Sequence, residues 1–193
     1  MPLNAIPFRM PEPAQIPAHL AQNLRQMAPA DAVRQGLDLL LQIDAAQVIL
    51  YESVGADGNL GLAQVVAQQE QAAALQQRLS TEAFYGRPPS ADEKSLAGRA
   101  LAHGTALLVM GQAQAGEELP LPRALADYLF DGSGAGNAGF IYVLPMRGGG
   151  GRPLGALTLL RPAAAGPLNH EQPNIAEAVR RLLAEILAGA PAA

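Results

Sequence analysis

Three histidines, His19, His103 and His170, are the only imidazoles in the 193-residue chain, and they stand far apart. No carboxylates accompany them at metal-ligand spacing, so they predict no zinc site. Cysteine is absent altogether. That excludes disulfides, thiolate metal sites, cysteine nucleophiles and thiol-linked chromophores. Gly132-Ser133-Gly134 has neither the spacing of a G-x-S-x-G elbow nor its strand–turn–helix setting, so no serine hydrolase is predicted. Gly134-Ala135-Gly136-Asn137-Ala138-Gly139 matches G-x-G-x-x-G in letters. The dinucleotide fingerprint needs a strand before it and a helix after it, and here the predicted order is reversed. Neither a Walker A loop nor a metalloprotease helix occurs. The expectation is a chain that is not an enzyme, with no metal and no cofactor.

What remains is a pocket-like composition. Phe84, Tyr85, Arg87, Arg99, Tyr128, Phe130 and Tyr142 fall between residues 80 and 142, a large share of the chain's four Phe and four Tyr. Apolar walls with a few polar tips suit a small-molecule site. Tyr128 and Tyr142 are the expected pocket positions, and Arg87 or Arg99 the expected partner of an anionic ligand. The alternative is that the same aromatics fill the core beneath a lid.

The elements that must position these residues follow from pattern. Pro2, Pro7, Pro11, Pro13 and Pro17 prevent a continuous helix and predict an extended arm. Helical spacing follows over Pro17–Met27 and Asp31–Leu41, with Asp31 as the expected cap. Ala46–Glu52 and Leu60–Gln68 read as strands joined by the turn residues Gly55–Asn59. A helix is predicted over Gln69–Leu79. Ser90-Ala91-Asp92-Glu93 forms a capping box ahead of a helix that ends at Gly104. Thr105–Met110 is a buried strand, Leu121–Phe130 a short helix, and Asp131–Gly139 a glycine-rich loop. Phe140–Met146 and Leu154–Leu160 are apolar strands joined through Gly148–Gly151. Asn169 and Gln172 cap a last helix whose Ile175, Val179, Leu182, Leu183, Ile186 and Leu187 form a wide stripe.

Two stretches of this order resemble the GAF domain. Ser95-Leu96-Ala97-Gly98-Arg99-Ala100-Leu101-Ala102-His103-Gly104, with the strand through Met110, is similar to the family's L-A-G-R-x-x-x-x-G-x-P-x-x-V region, with Ala106 in place of the usual proline. Val143-Leu144-Pro145-Met146, the glycine turn and Leu154-Gly155-Ala156-Leu157 resemble its x-P-L…G-V-L hairpin. The last helix resembles the family's closing helix, with Asn169 where Thr is common. The resemblance spans roughly residues 30–188. It implies an α+β, GAF/PAS-like fold: a central antiparallel sheet of about six strands, terminal helices on one face, and middle helices and loops over a pocket on the other. Residues 1–29 are then a proline-rich arm with the start of the N-terminal helix, and 189–193 a disordered tail.

Members of that family bind cyclic nucleotides, haem, bilins, amino acids or no known ligand, so the fold alone does not settle the role. The methionine sulfoxide reductases and bilin attachment of the family work through cysteines, which this chain lacks. Its cyclic-nucleotide members carry Asn-Lys, then Phe, then Asp-Glu; only Asp92-Glu93 echoes this, and the capping box accounts for both acids. A haem ligand would have to be one of the three histidines, and His103 is better explained by the helix C-terminus it closes.

The net charge of −4 and the scattered Arg residues, with Lys94 the sole lysine, argue against a nucleic-acid surface. No apolar run approaches the roughly 18 residues of a membrane span, and no secretory pattern opens the chain, so a cytoplasmic location without membrane contact is expected. The wide stripe of the last helix predicts a homodimer through residues about 17–41 and 173–188. The resulting expectation is a non-enzymatic small-molecule-sensing or signalling domain that dimerises and acts through a protein partner. The alternative is a degenerate domain serving only as a dimerisation or interaction scaffold.

Overall fold

The computed structural model describes residues 4–67, 86–89, 95–111, 139–161, 165–169 and 171–190. The helices predicted over 69–79 and 121–130, the Ser90–Glu93 capping box and most of the glycine-rich loop lie outside these residues. So do Phe84, Tyr85, Tyr128, Phe130 and His170.

Chain order is β1 (Asn4–Pro7), α1 (Ala18–Gln26), α2 (Pro29–Gln42), β2 (Val48–Val54), β3 (Leu60–Ala67), α3 (Leu96–His103), β4 (Leu107–Gly111), β5 (Gly139–Arg147), β6 (Pro153–Arg161) and α4 (Gln172–Gly189). The strands form one antiparallel sheet in the order β1-β4-β5-β6-β2-β3. The α+β fold read from the sequence is therefore the fold observed. Among the described residues no helix is long and apolar enough to cross a membrane.

Strand β1 is the element that composition concealed. Pro7 reads as a breaker, yet the segment pairs with β4 from Asn4↔Met110 to Pro7↔Leu107. The Phe8 N–H donates to the Ala106 carbonyl at 2.7 Å. Antiparallel alternation then turns the Pro7 nitrogen away from β4, so its missing N–H costs no ladder bond. A proline on that outer edge also discourages pairing with another strand. The arm continues inward, with Phe8, Met10 and Ile16 packed against the core.

Strand alternation gives the sheet two different faces. One carries Ile49, Tyr51, Leu108, Tyr142, Leu144, Leu157 and Leu159, against Val33, Leu37 and Leu40 of α2 and Val179 and Leu183 of α4. The other carries Val48, Leu50, Val109, Ile141, Val143 and Leu160, against Leu96, Ala97, Ala100 and Leu101 of α3.

Caps explain where the helices begin. Helix α2 starts at Pro29, with Ala28 at the cap position, so Asp31 is not the cap but an acid in the first turn, where it complements the helix dipole. Ser95, and not the predicted Ser90, caps α3, its Oγ accepting the Gly98 N–H at 3.2 Å, so the helix begins at Leu96. Gly104 ends that helix in the left-handed region at φ 65°. The box at α4 is the one expected. The Asn169 side chain accepts from the Gln172 N–H at 3.2 Å, and the Gln172 side chain accepts from the Asn169 N–H at 3.0 Å. Gln172 Nε2 also donates to the carbonyls of Ile43 and Asp44, both at 2.9 Å, which ties the end of α2 to the start of α4.

The wide stripe of α4 has an intramolecular cause. Helix α1 folds back so that Leu24 packs with Ala32 and Leu182, with Leu20 and Ile186 beside them. Part of the excess stripe is thus covered within the protomer.

Candidate ligand-binding face

On the α3 side, strand register lines up rows across the sheet. One row reads Ala5, Val109, Ile141, Leu160, Val48 and Ala67; the next reads Leu107, Val143, Thr158, Leu50 and Val65. A third places Ala156 beside Glu52 and Leu62. Every member is apolar except Thr158 and Glu52.

These two polar side chains are buried, at 3% and 6% exposure, and Thr158 Oγ1 donates to Glu52 Oε2 at 2.8 Å. Glu52 has a further interaction as well. Burying a carboxylate in an apolar sheet is costly unless its lone pairs are engaged. The Thr158 hydroxyl and that further interaction supply such engagement, which holds the carboxylate in place within the apolar rows.

An irregularity in the neighbouring strand β3 lies beside Glu52. The register of β2 against β3 shifts between Tyr51 and Glu52. Next to that bulge, on β6, stands Gly155. A Cβ there would fall well inside contact distance of the Glu52 carbonyl oxygen and 2.9 Å from Tyr51 Cε2. The glycine of the Leu154–Leu157 motif is thus required by the close approach of β2 at Glu52 and Ser53. On the opposite face, burial alone pushes the Tyr51 phenol up to about 12.

Of the residues expected to form the site, the three that are described, Arg87, Arg99 and Tyr142, are dispersed. Tyr142 is on the other face of the sheet, edge-on to Phe8 with ring centroids 5.4 Å apart, and its hydroxyl accepts the Leu168 N–H at 3.1 Å. Its ring packs under the N-terminal arm, so it does not line the α3 side. Arg87 is exposed beside edge strand β3, where its carbonyl accepts the Leu60 N–H at 2.8 Å. Arg99 is half-buried on α3. The four other aromatics lie outside the described residues. His19 and His103 are both exposed on helices. Among the described residues no group of three or more His, Asp and Glu side chains is placed to hold a metal.

Glu52 and Thr158 escaped the sequence reading because each sits inside an apolar strand. Their signal was phase: Glu52 keeps the alternation of Val48 and Leu50, and Thr158 that of Ala156 and Leu160. A carboxylate in phase with core positions is the detectable anomaly.

No protein-family model and no curated protein matches the sequence. Solved structures do. The chain is similar to the crystal structure of the GAF domain/HD domain protein from Geobacter sulfurreducens, at 13% identity and a TM-score of 0.57, over 86% of this chain and 93% of that one. It is also similar to the GAF domain of an Acinetobacter phosphoenolpyruvate-protein phosphotransferase, at 9% identity and a TM-score of 0.54, over 88% and 89% of the two chains. At these identities the likeness is one of fold, and the fold is that of a GAF domain.

Proposed function

We propose that this chain, folded as a GAF domain, is a non-enzymatic cytoplasmic sensory or signalling module that receives a small molecule on the α3 side of its sheet. The observation that carries this reading is the buried Glu52–Thr158 pair in otherwise apolar rows. Two polar groups in an apolar setting are what orient a ligand, while the surrounding side chains supply contact area. A carboxylate and a hydroxyl favour a ligand that offers N–H or O–H donors, in place of the anion expected from Arg87 and Arg99. The proposed event is binding, transmitted to a separate protein partner.

Dimerisation through the terminal helices belongs to the same proposal, on a narrower surface than the stripe implied. Leu24, Ala32 and Leu182 are consumed inside the protomer, which leaves the half-buried Leu20, Ile186 and Leu187. Light scattering at micromolar concentration checks this part alone; a monomer mass removes it.

A thermal-shift panel of amines, amino acids, nucleosides and aromatic acids tests the sensory reading. A ligand at about one hundred times its Kd stabilises by about 2.7 kcal/mol, which at this size raises Tm by about 5–10 °C. The shift is expected from donor-bearing compounds and is expected to shrink in Glu52→Gln. A panel that leaves Tm unmoved, or a shift unchanged in that variant, contradicts the proposal.

A further inference from the structure

The end of β5 is bonded to helices on both faces of the sheet. Arg147 is the last residue of β5, and its Nη2 donates to the Leu101 carbonyl and, at 3.1 Å, to the Ala102 carbonyl. These carbonyls belong to the final turn of α3, where no further helical N–H can reach them and a cation is favoured. The guanidinium lies so close under Gly104 that a Cβ there would stand 2.8 Å from Arg147 Cζ. Gly104 thus serves both the left-handed helix end and the seat of this arginine.

Two residues earlier, the same strand is held from the other side. Strand β4 pairs with β5 only as far as Leu107↔Val143, so Pro145 lies beyond its reach. The Pro145 carbonyl is taken instead by Arg180 of α4, whose Nη1 donates at 2.8 Å. Arg180 is itself oriented by Glu177, which accepts from Nε at 2.6 Å and from Nη2 at 2.7 Å. That bidentate pairing leaves Nη1 aimed at the strand.

We infer that residues 145–147 form a clasp that couples α3 to α4, so that displacement of α3 on one face is felt by α4 on the other. A helix held at its last carbonyls by a side chain of β5 cannot shift without pulling on β5, and a carbonyl two residues back along β5 is bonded to the other helix. Arg147 is a positioning residue in this device. It is bonded to α3, and Arg180 bonds the strand to α4 two residues earlier.

Proximity alone does not establish coupling, so the test is a double-mutant cycle read at a distance. Ser95→Ala removes the cap of α3 and is expected to raise exchange of the α3 amides roughly fivefold. In the otherwise unaltered chain, hydrogen exchange over residues 176–189 should then rise about twofold or more. In an Arg147→Met background the same Ser95→Ala change should loosen α3 and leave α4 unaffected. If Arg147→Met does not fold, Arg180→Met severs the other end of the clasp and should give the same uncoupling. A response in α4 that persists without the clasp, or no response in α4 at all, overturns the inference. No ligand enters this experiment, so its outcome is independent of the sensory reading.

Discussion

Replacing Gly155 by alanine is the sharpest perturbation of the region that places Glu52. A Cβ at this position would meet the Glu52 carbonyl oxygen well inside contact distance, Tyr51 Cε2 at 2.9 Å and the Ser53 Cα at 3.2 Å. The Tyr51 ring can swing aside, but the carbonyl and the Cα are backbone of a strand paired on both edges. Relief requires β2 and β6 to part by on the order of 1 Å, against ordinary contact distances of about 3.5 Å. Overpacking of this kind costs about 1–3 kcal/mol, and weakening a flanking ladder bond adds about 1 kcal/mol. The sum is about 3 kcal/mol, which for a chain of this size lowers Tm by about 6–12 °C. Gly61 is the matched control, a strand glycine with nothing within 4 Å of where a Cβ would stand. Gly61→Ala should be neutral or stabilise by up to about 1 kcal/mol through the unfolded chain. Thermal and urea unfolding of both variants checks the pair. A Gly155→Ala protein that melts within about 1 °C of the parent refutes the close-approach account.

Two further predictions concern pH. Burial alone would raise the Glu177 carboxyl, but hydrogen bonds from Arg180 and Arg181, with their charges, outweigh it and hold the group below its usual 4.5. Its folded value lies below its unfolded one, so the stabilisation is present above that usual value and is lost as pH falls through the lowered one. Glu177→Gln should cost about 1.5–2 kcal/mol at neutral pH, since Arg181 is largely solvent-screened, and the cost should vanish in acid; parallel urea midpoints from pH 7 to 3 contradict this. Tyr51 is the opposite case, raised by burial to about 12 from 10.0. Its contribution is complete below the unfolded value and is lost as pH climbs through the folded one. Absorbance at the phenolate band should show Tyr51 ionising only as the chain unfolds in alkali, and Tyr51→Phe should remove that part of the alkaline instability.

The sequence made most of the fold legible because its strands are short apolar runs between unambiguous turn residues. Asp57 and Gly58 close the first hairpin as expected, with Asp57 Oδ1 accepting the Asn59 N–H at 3.0 Å. Helices α1 and α2 fall where periodicity places them, within a few residues. Strand β1 was hidden because Pro7 reads as a breaker until its nitrogen is known to face away from the partner strand. The α4 stripe looked surplus because the return of α1 over Leu182 is a tertiary event with no local signature. Glu52 and Thr158 were hidden for a related reason: a single polar residue in an apolar strand gains meaning only when another strand brings its partner alongside. Tyr142 was assigned by composition, and composition does not say which face of a strand a side chain takes. One residue of register decides that.

The central claim, that the α3 side of the sheet is the receiving face, is tested most directly by mapping where a stabilising compound protects the chain. Hydrogen exchange with and without that compound should show protection over residues 48–54, 96–103 and 153–161, with α1 unchanged. Protection confined to the junction of α1 with the end of α4, around Arg25, Met27 and Ile186, would contradict the account and move the site to the opposite side of the molecule.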